Sequence, residues 1–242
     1  MTNKLYTTPL QEIVRTFTQN VSEPPKRAME FFIRHYSQMF DDIGYVRNGV
    51  KQFDKILHFM AHYQVAAVKQ DVTNPEYQEI YETEIKGRRF GNPKGLLLFG
   101  TCGTGKTLAA RIIAKRFQFF FIDTHKIGLD YLTKEGNDWL AKWLTETQRR
   151  VVVIDDLGAE GDIKKFGNES PMRAIITARA KYWELYGTPT IYTTNISAPQ
   201  KIAEYYGNDA RMLDRLTAYQ VGVEFAGASL RKGDENNYRK KL

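Results

Sequence analysis

The rhythm of apolar positions changes at Gly95. Upstream, apolar residues recur at helical spacing. Over 26–40, Met29, Phe32, Ile33, Tyr36 and Phe40 fall on one face of a helix, and the run Ser22-Glu-Pro-Pro ahead of them marks its start. Over 48–69 the pattern repeats with Val50, Phe53, Ile56, Leu57, Met60 and Val68. Asn74-Pro75 interrupts it, and a polar stretch with Gly87, Gly91 and Pro93 as breakers runs to Lys94. Residues 1–75 therefore read as a small helical region, and 76–94 as a linker. The aromatic face of the first helix (Phe31, Phe32, Tyr36, Phe40) has two uses: core within its own bundle, or a docking surface.

From Gly95 onward, short continuous apolar runs alternate with helical stretches. The run 96–99 (Leu-Leu-Leu-Phe) has the character of a strand covered on both faces. Further strands are expected at 119–122, 151–154, 189–193 and 219–225. Helices are expected at 108–117, 139–147, 171–186, 201–206 and 209–216. Pro171 occupies an allowed first-turn position. Strands alternating with helices predict an α/β fold, a five-stranded parallel sheet between helices over 95–242. Ligands of such a sheet bind at the carboxyl ends of its strands.

Composition narrows the classes without choosing among them. Of the 242 residues, 42% are hydrophobic, enough for a real core. The single cysteine excludes an intrachain disulfide and fits a reducing compartment. The first ten residues are too polar for a secretory signal, and no apolar run approaches the roughly 20 residues that span a bilayer. A soluble, cytoplasmic protein with no membrane partner is expected. The net charge of +7 permits contact with nucleic acid. The basic excess is larger after residue 94, and Arg239, Lys240 and Lys241 close the chain.

Chemistry concentrates at the strand ends. Gly100, Thr101, Cys102, Gly103, Thr104, Gly105, Lys106 and Thr107 form the string G-x-x-x-x-G-K-T between a buried strand and a helix. Its glycines let successive N–H groups point at phosphates, and the helix beginning near Leu108 adds its positive dipole end. Lys106 is placed to reach the β- and γ-phosphates of ATP, and Thr107 to ligate Mg²⁺. The third strand ends in Asp155 and Asp156. Asp155 is assigned to Mg²⁺ and Asp156 to the attacking water. The fourth strand ends in Thr193, Thr194 and Asn195, with Asn195 the candidate for positioning that water. Arg211 and Arg215 lie one helical turn apart. Either has the reach of an arginine finger onto a neighbouring subunit's γ-phosphate, or of an ordinary surface ion pair. Arg231, after the last strand, is placed to touch the phosphates of its own subunit.

Taken in this order, these features resemble an AAA+ ATPase, a P-loop NTPase. Asp155-Asp-Leu-Gly-Ala-Glu160, Pro189-Thr-Ile-Tyr-Thr-Thr-Asn195, Arg211-Met-Leu-Asp-Arg215-Leu and Ser229-Leu-Arg231 resemble the bacterial replicative-helicase loader family (DnaC/DnaI type), which is closely similar to the IstB-type transposition helper ATPases. The resemblance covers about 90–232. It implies Asn195 as first sensor, Arg211 as the trans finger of a homo-oligomer and Arg231 as second sensor. It also implies a truncated carboxyl end, since only 17 residues follow Phe225 and no full C-terminal lid fits there. Two departures stand out. Loaders usually carry Ser-Tyr-Arg where this chain has Ser229-Leu230-Arg231. His35, His58, His62, His125 and Cys102 offer no zinc ligand set of ordinary spacing.

The resemblance implies a Mg²⁺-dependent ATPase that loads or remodels a replicative helicase on single-stranded DNA, with residues 1–75 as the partner-binding region. Lys164 and Lys165 are candidate DNA contacts or members of a solvated loop. The competing readings are a transposition helper that binds duplex DNA and a transposase, a P-loop small-molecule kinase, and a nucleotide-sensing adaptor without catalysis.

Overall fold

The computed structural model describes residues 21–45, 47, 50, 52–68, 74–160, 171–207 and 209–230. The chain begins with helices α1 (Lys26–Asp42), α2 (Asp54–Tyr63) and α3 (Pro75–Ile80). α2 runs into a π-helical turn at Gln64–Val68 and α3 into another at Tyr81–Ile85. Then follow β1 (Gly95–Gly100), α4 (Lys106–Phe117), β2 (Phe120–Asp123), α5 (Thr124–Thr133), α6 (Asn137–Thr147), β3 (Val152–Leu157), α7 (Pro171–Tyr186), β4 (Thr190–Thr194), α8 (Pro199–Tyr205), α9 (Ala210–Ala218) and β5 (Gln220–Phe225).

The five strands form one parallel sheet in the order β2-β3-β4-β1-β5. Successive side chains of a strand point to opposite faces, and the two cores divide accordingly. Leu96, Leu98, Val153, Val223 and Phe225 join α4 and the amino-terminal helices. Leu97, Val152, Ile154 and Tyr192 join α5 to α9. Covered on both faces, β1 and the start of β3 are continuous apolar runs.

The sequence patterns and the structure part company at four places. The second helix begins at Asp54 rather than near 48, because Gln52 takes a positive φ of 62° and Val50 is bridged to Phe225. The 76–94 stretch is not a bare linker. Asn74 caps α3, accepting from the Glu76 and Tyr77 amides, and Pro75 fills the first turn. The Asn-Pro pair that ends one helical pattern thus starts another, and Tyr77, Ile80 and Ile85 enter the core of α1 and α2. Helix α5 escaped the periodicity reading, although Asp123 caps it through the Lys126 amide. The third strand extends through both acids to Leu157. Of the two uses weighed for the aromatic face of α1, the structure shows core: Phe31, Phe32, Tyr36 and Phe40 are buried.

A buried arginine ties the α6, α7 and β4 segments together. Arg179 donates to the carbonyls of Thr147 (2.7 Å), Arg150 (3.0 Å) and Pro189 (3.1 Å) and to Thr190 Oγ1 (2.7 Å). Burial lowers its guanidinium pKa to about 10, still far above neutrality, so these donors stay charged.

Candidate functional site

The loop between β1 and α4 is built from positive-φ glycines at 100, 103 and 105. Two of them have no room for a side chain: a Cβ on Gly100 would lie 2.3 Å from Phe225 O, and one on Gly103 2.2 Å from Ser229 Oγ. A Cβ on Gly105 would press on the Tyr45 hydroxyl at 3.2 Å. The loop is therefore wrapped from outside. Leu230 N donates to Gly103 O at 2.8 Å, and Thr101 Oγ1 donates to Gly227 O at 3.1 Å. Tyr45, from the amino-terminal region, donates to Gly105 O at 3.3 Å. Lys106 is buried and its Nζ donates to the carbonyls of Gly100 (3.1 Å) and Thr101 (2.6 Å). Thr104 Oγ1 donates to Thr101 O at 2.8 Å. Cys102 is exposed within the loop. Leu108 lies in the first turn of α4, among the amides that face the loop.

Beside this loop the structure joins residues from three segments, α4, β3 and the end of β4. Thr107 Oγ1 donates to Asp155 Oδ1 at 3.0 Å, and Thr193 Oγ1 donates to the same oxygen at 2.6 Å. Asn195 Nδ2 donates to Asp156 Oδ1 at 2.7 Å. Asp155 is buried, whereas Asn195 is open to solvent.

Adjacent residues of a regular strand point to opposite faces, so two neighbouring acids are not expected to serve one site. Here the strand is not regular. The β3–β4 register shifts between Ile154 and Leu157, and Asp156 takes a positive φ of 62°. Such a conformation in a non-glycine residue persists only where its surroundings over-determine it. Here the Asp156 amide donates to Thr193 Oγ1 (2.9 Å), and its carbonyl accepts from Thr124 Oγ1 (2.7 Å) and from the Ala159 amide (3.0 Å).

The turn after β3 is held as well. Glu160 is buried, accepts from the Gly158 amide at 2.9 Å, and is hydrogen-bonded by the Tyr206 hydroxyl. Burial, then the neighbouring carboxylate, drives the Tyr206 pKa upward, which keeps the phenol a donor.

The two arginines of α9 separate clearly. Arg215 donates to Thr177 Oγ1 on α7 at 2.9 Å, so it is engaged within its own chain. The Arg211 side chain is exposed and makes no hydrogen bond or ion pair with the described residues. Asp209 caps α9 and pairs with Arg173 at 2.7 Å. That hydrogen bond from Arg173 holds the Asp209 carboxyl below its ordinary range. Arg231, Lys164 and Lys165 lie outside the described residues.

Sequence reasoning missed Thr193, Thr124, Glu160, Tyr206 and Tyr45. Thr193 and Glu160 stand in the motifs at 189–195 and 155–160, where Asn195 and the two acids took the assigned roles. Thr124, Tyr206 and Tyr45 carry no local signal, since each acts from a different element.

A family model, the ATPase family associated with various cellular activities (AAA), matches residues 96–217, from β1 through α9. The chain belongs to the AAA ATPase family. The matched span holds the P-loop, both acids, Asn195 and Arg211. Among curated relatives, the chain is 32% identical over 113 residues to mouse (Mus musculus) ATPase family AAA domain-containing protein 2, covering 43% of this chain and 9% of that protein. The chain thus spans less than a tenth of that relative's length. Among solved structures it is similar to the crystal structure of DnaI (TM-score 0.43, 18% identity, 69% of this chain and 92% of that one). It is also similar to that of the DnaC helicase loader (TM-score 0.41, 21% identity, 68% and 98%). Among the described residues no helix is long and apolar enough to cross a membrane.

Proposed function

We propose that this AAA ATPase binds and hydrolyses ATP with Mg²⁺ to load or remodel a DNA-replication partner, a replicative helicase acting on single-stranded DNA. The observation that carries the catalytic half is the hydrogen-bonded set Thr107–Asp155–Thr193–Asp156–Asn195 beside a P-loop. The loop amides and the amino end of α4 receive the phosphates, and Lys106 compensates β- and γ-phosphate charge. Thr107 and Asp155 bring two hard oxygen donors to one point, a set that suits Mg²⁺. When bound, that ion would neutralise charge developing on the phosphates. Asp156, aimed by its bulge and held by Asn195, accepts the proton of the attacking water.

The loader half rests on the sequence motifs at 155–160, 189–195, 211–216 and 229–231. A shared site, with Arg211 acting on a neighbouring subunit in a homo-oligomer, accords with the exposed Arg211 and the engaged Arg215. The 226–230 segment lying on the P-loop supports Arg231, next in the chain, as the second sensor. A cytoplasmic location belongs to the same reading.

The test is ATP turnover with and without single-stranded DNA, for wild type and Arg211→Ala, across protein concentrations at which subunits assemble. Turnover that rises with concentration, responds to single strands and falls about 10³-fold in Arg211→Ala supports the reading. Wild-type turnover by Arg211→Ala removes the shared site. Stimulation by duplex DNA alone favours an IstB-like transposition helper acting with a transposase.

A further inference from the structure

Thr193 is buried in β4, 1% exposed, with its hydroxyl set between the two acids. A threonine hydroxyl has one proton to give and lone pairs to receive with. Here the proton goes to Asp155 Oδ1 at 2.6 Å, and the oxygen accepts the Asp156 amide at 2.9 Å. Each bond has a separate consequence. The first leaves Asp155 Oδ1 held by two hydroxyls, those of Thr193 and Thr107, which fixes the rotation of the carboxylate. The second satisfies the amide of a residue whose φ of 62° is unfavourable on its own. The hydroxyl thus links the orientation of one acid to the backbone twist that aims the other.

We propose that Thr193 is a positioning residue for nucleotide–Mg²⁺ binding, fixing Asp155 toward the metal while holding the bulge that presents Asp156. This inference rests on the reading of the site as one for ATP with Mg²⁺. Partners that orient a metal-binding carboxylate are typically worth 10- to 100-fold in metal affinity. The role belongs to the hydroxyl alone, because valine fills nearly the same volume without it.

The test is binding of a fluorescent ATP analogue, in EDTA and across a Mg²⁺ titration, for wild type, Thr193→Val and Thr193→Ser. Thermal melting confirms that each variant is folded. The expected result is unchanged affinity in EDTA for all three, with the Mg²⁺ midpoint shifted upward at least tenfold in Thr193→Val and restored in Thr193→Ser. If Thr193→Val does not fold, Thr193→Ala is expected to show the same shift. A wild-type midpoint in the folded hydroxyl-free variant overturns the inference while leaving the ATP–Mg²⁺ reading standing. So does an equal loss in Thr193→Ser and Thr193→Val, or a loss of affinity already present in EDTA. Absence of any Mg²⁺-dependent binding in wild type removes both.

Discussion

Asp156 departs from regular strand geometry where the sequence sets two acids side by side. Read as letters, Asp155-Asp156 at a strand end gives two carboxylates but not their directions. A regular strand would send one carboxylate to each face. The bulge, the positive φ and the threonines at 124 and 193 supply the direction. The threonines come from other elements, and a positive φ at a non-glycine residue leaves no mark in the sequence, so the two acids can be picked out there but their geometry cannot. Cys102 offers a residue-scale prediction. Its thiol is exposed in the loop whose amides must close on phosphates. A maleimide is expected to abolish nucleotide binding, ATP present beforehand to protect, and Cys102→Ser to be indifferent to the reagent. Labelled protein that binds ATP like the untreated form would place the phosphates away from this loop.

At the scale of elements, patterns of period 3.6 and buried apolar runs located every strand and most helices. The failures have physical causes. Helix α5 carries Gly128 and a weak apolar stripe, and its stability comes from Asp123 as cap and from burial of Ile127 and Tyr131. Segment 76–94 looked unstructured because its polar residues are many, yet three apolar ones suffice to seat α3 and its π-helical turn. The same seam has a titratable latch. His62 on α2 is hydrogen-bonded to Gly91 O at 2.8 Å, and burial lowers its pKa; the Gly91 carbonyl and the nearby Glu23 pull upward, and His58 downward. The unfolded chain takes up that proton near pH 6.5, whereas the folded chain does so only at lower pH. Between those points the unfolded state binds more protons, so stability falls as pH falls. The midpoint of thermal unfolding should drop more steeply from pH 7.5 to 5.5 in wild type than in His62→Gln. Parallel profiles would show that His62 is not held neutral by burial.

For the whole molecule, the amino-terminal helices and the sheet share one continuous core. Phe31, Phe40, Tyr45, Ile56 and Tyr77 pack in the same cluster as Leu96, Ile113 and Phe225. Tyr45 also reaches the P-loop itself. The region read from sequence as a separate partner-binding unit is thus physically continuous with the nucleotide site, a feature no sequence period encodes. What that contact serves depends on the central claim, that the cluster beside the P-loop hydrolyses ATP. The most direct measurement is steady-state ATP turnover by wild type and Asp156→Asn, with ATP binding followed in parallel. The account predicts that wild type turns over and that Asp156→Asn binds ATP with near-wild-type affinity but loses turnover by about 10²-fold or more. Equal turnover in the two proteins, or ATP binding without turnover in wild type, would contradict it.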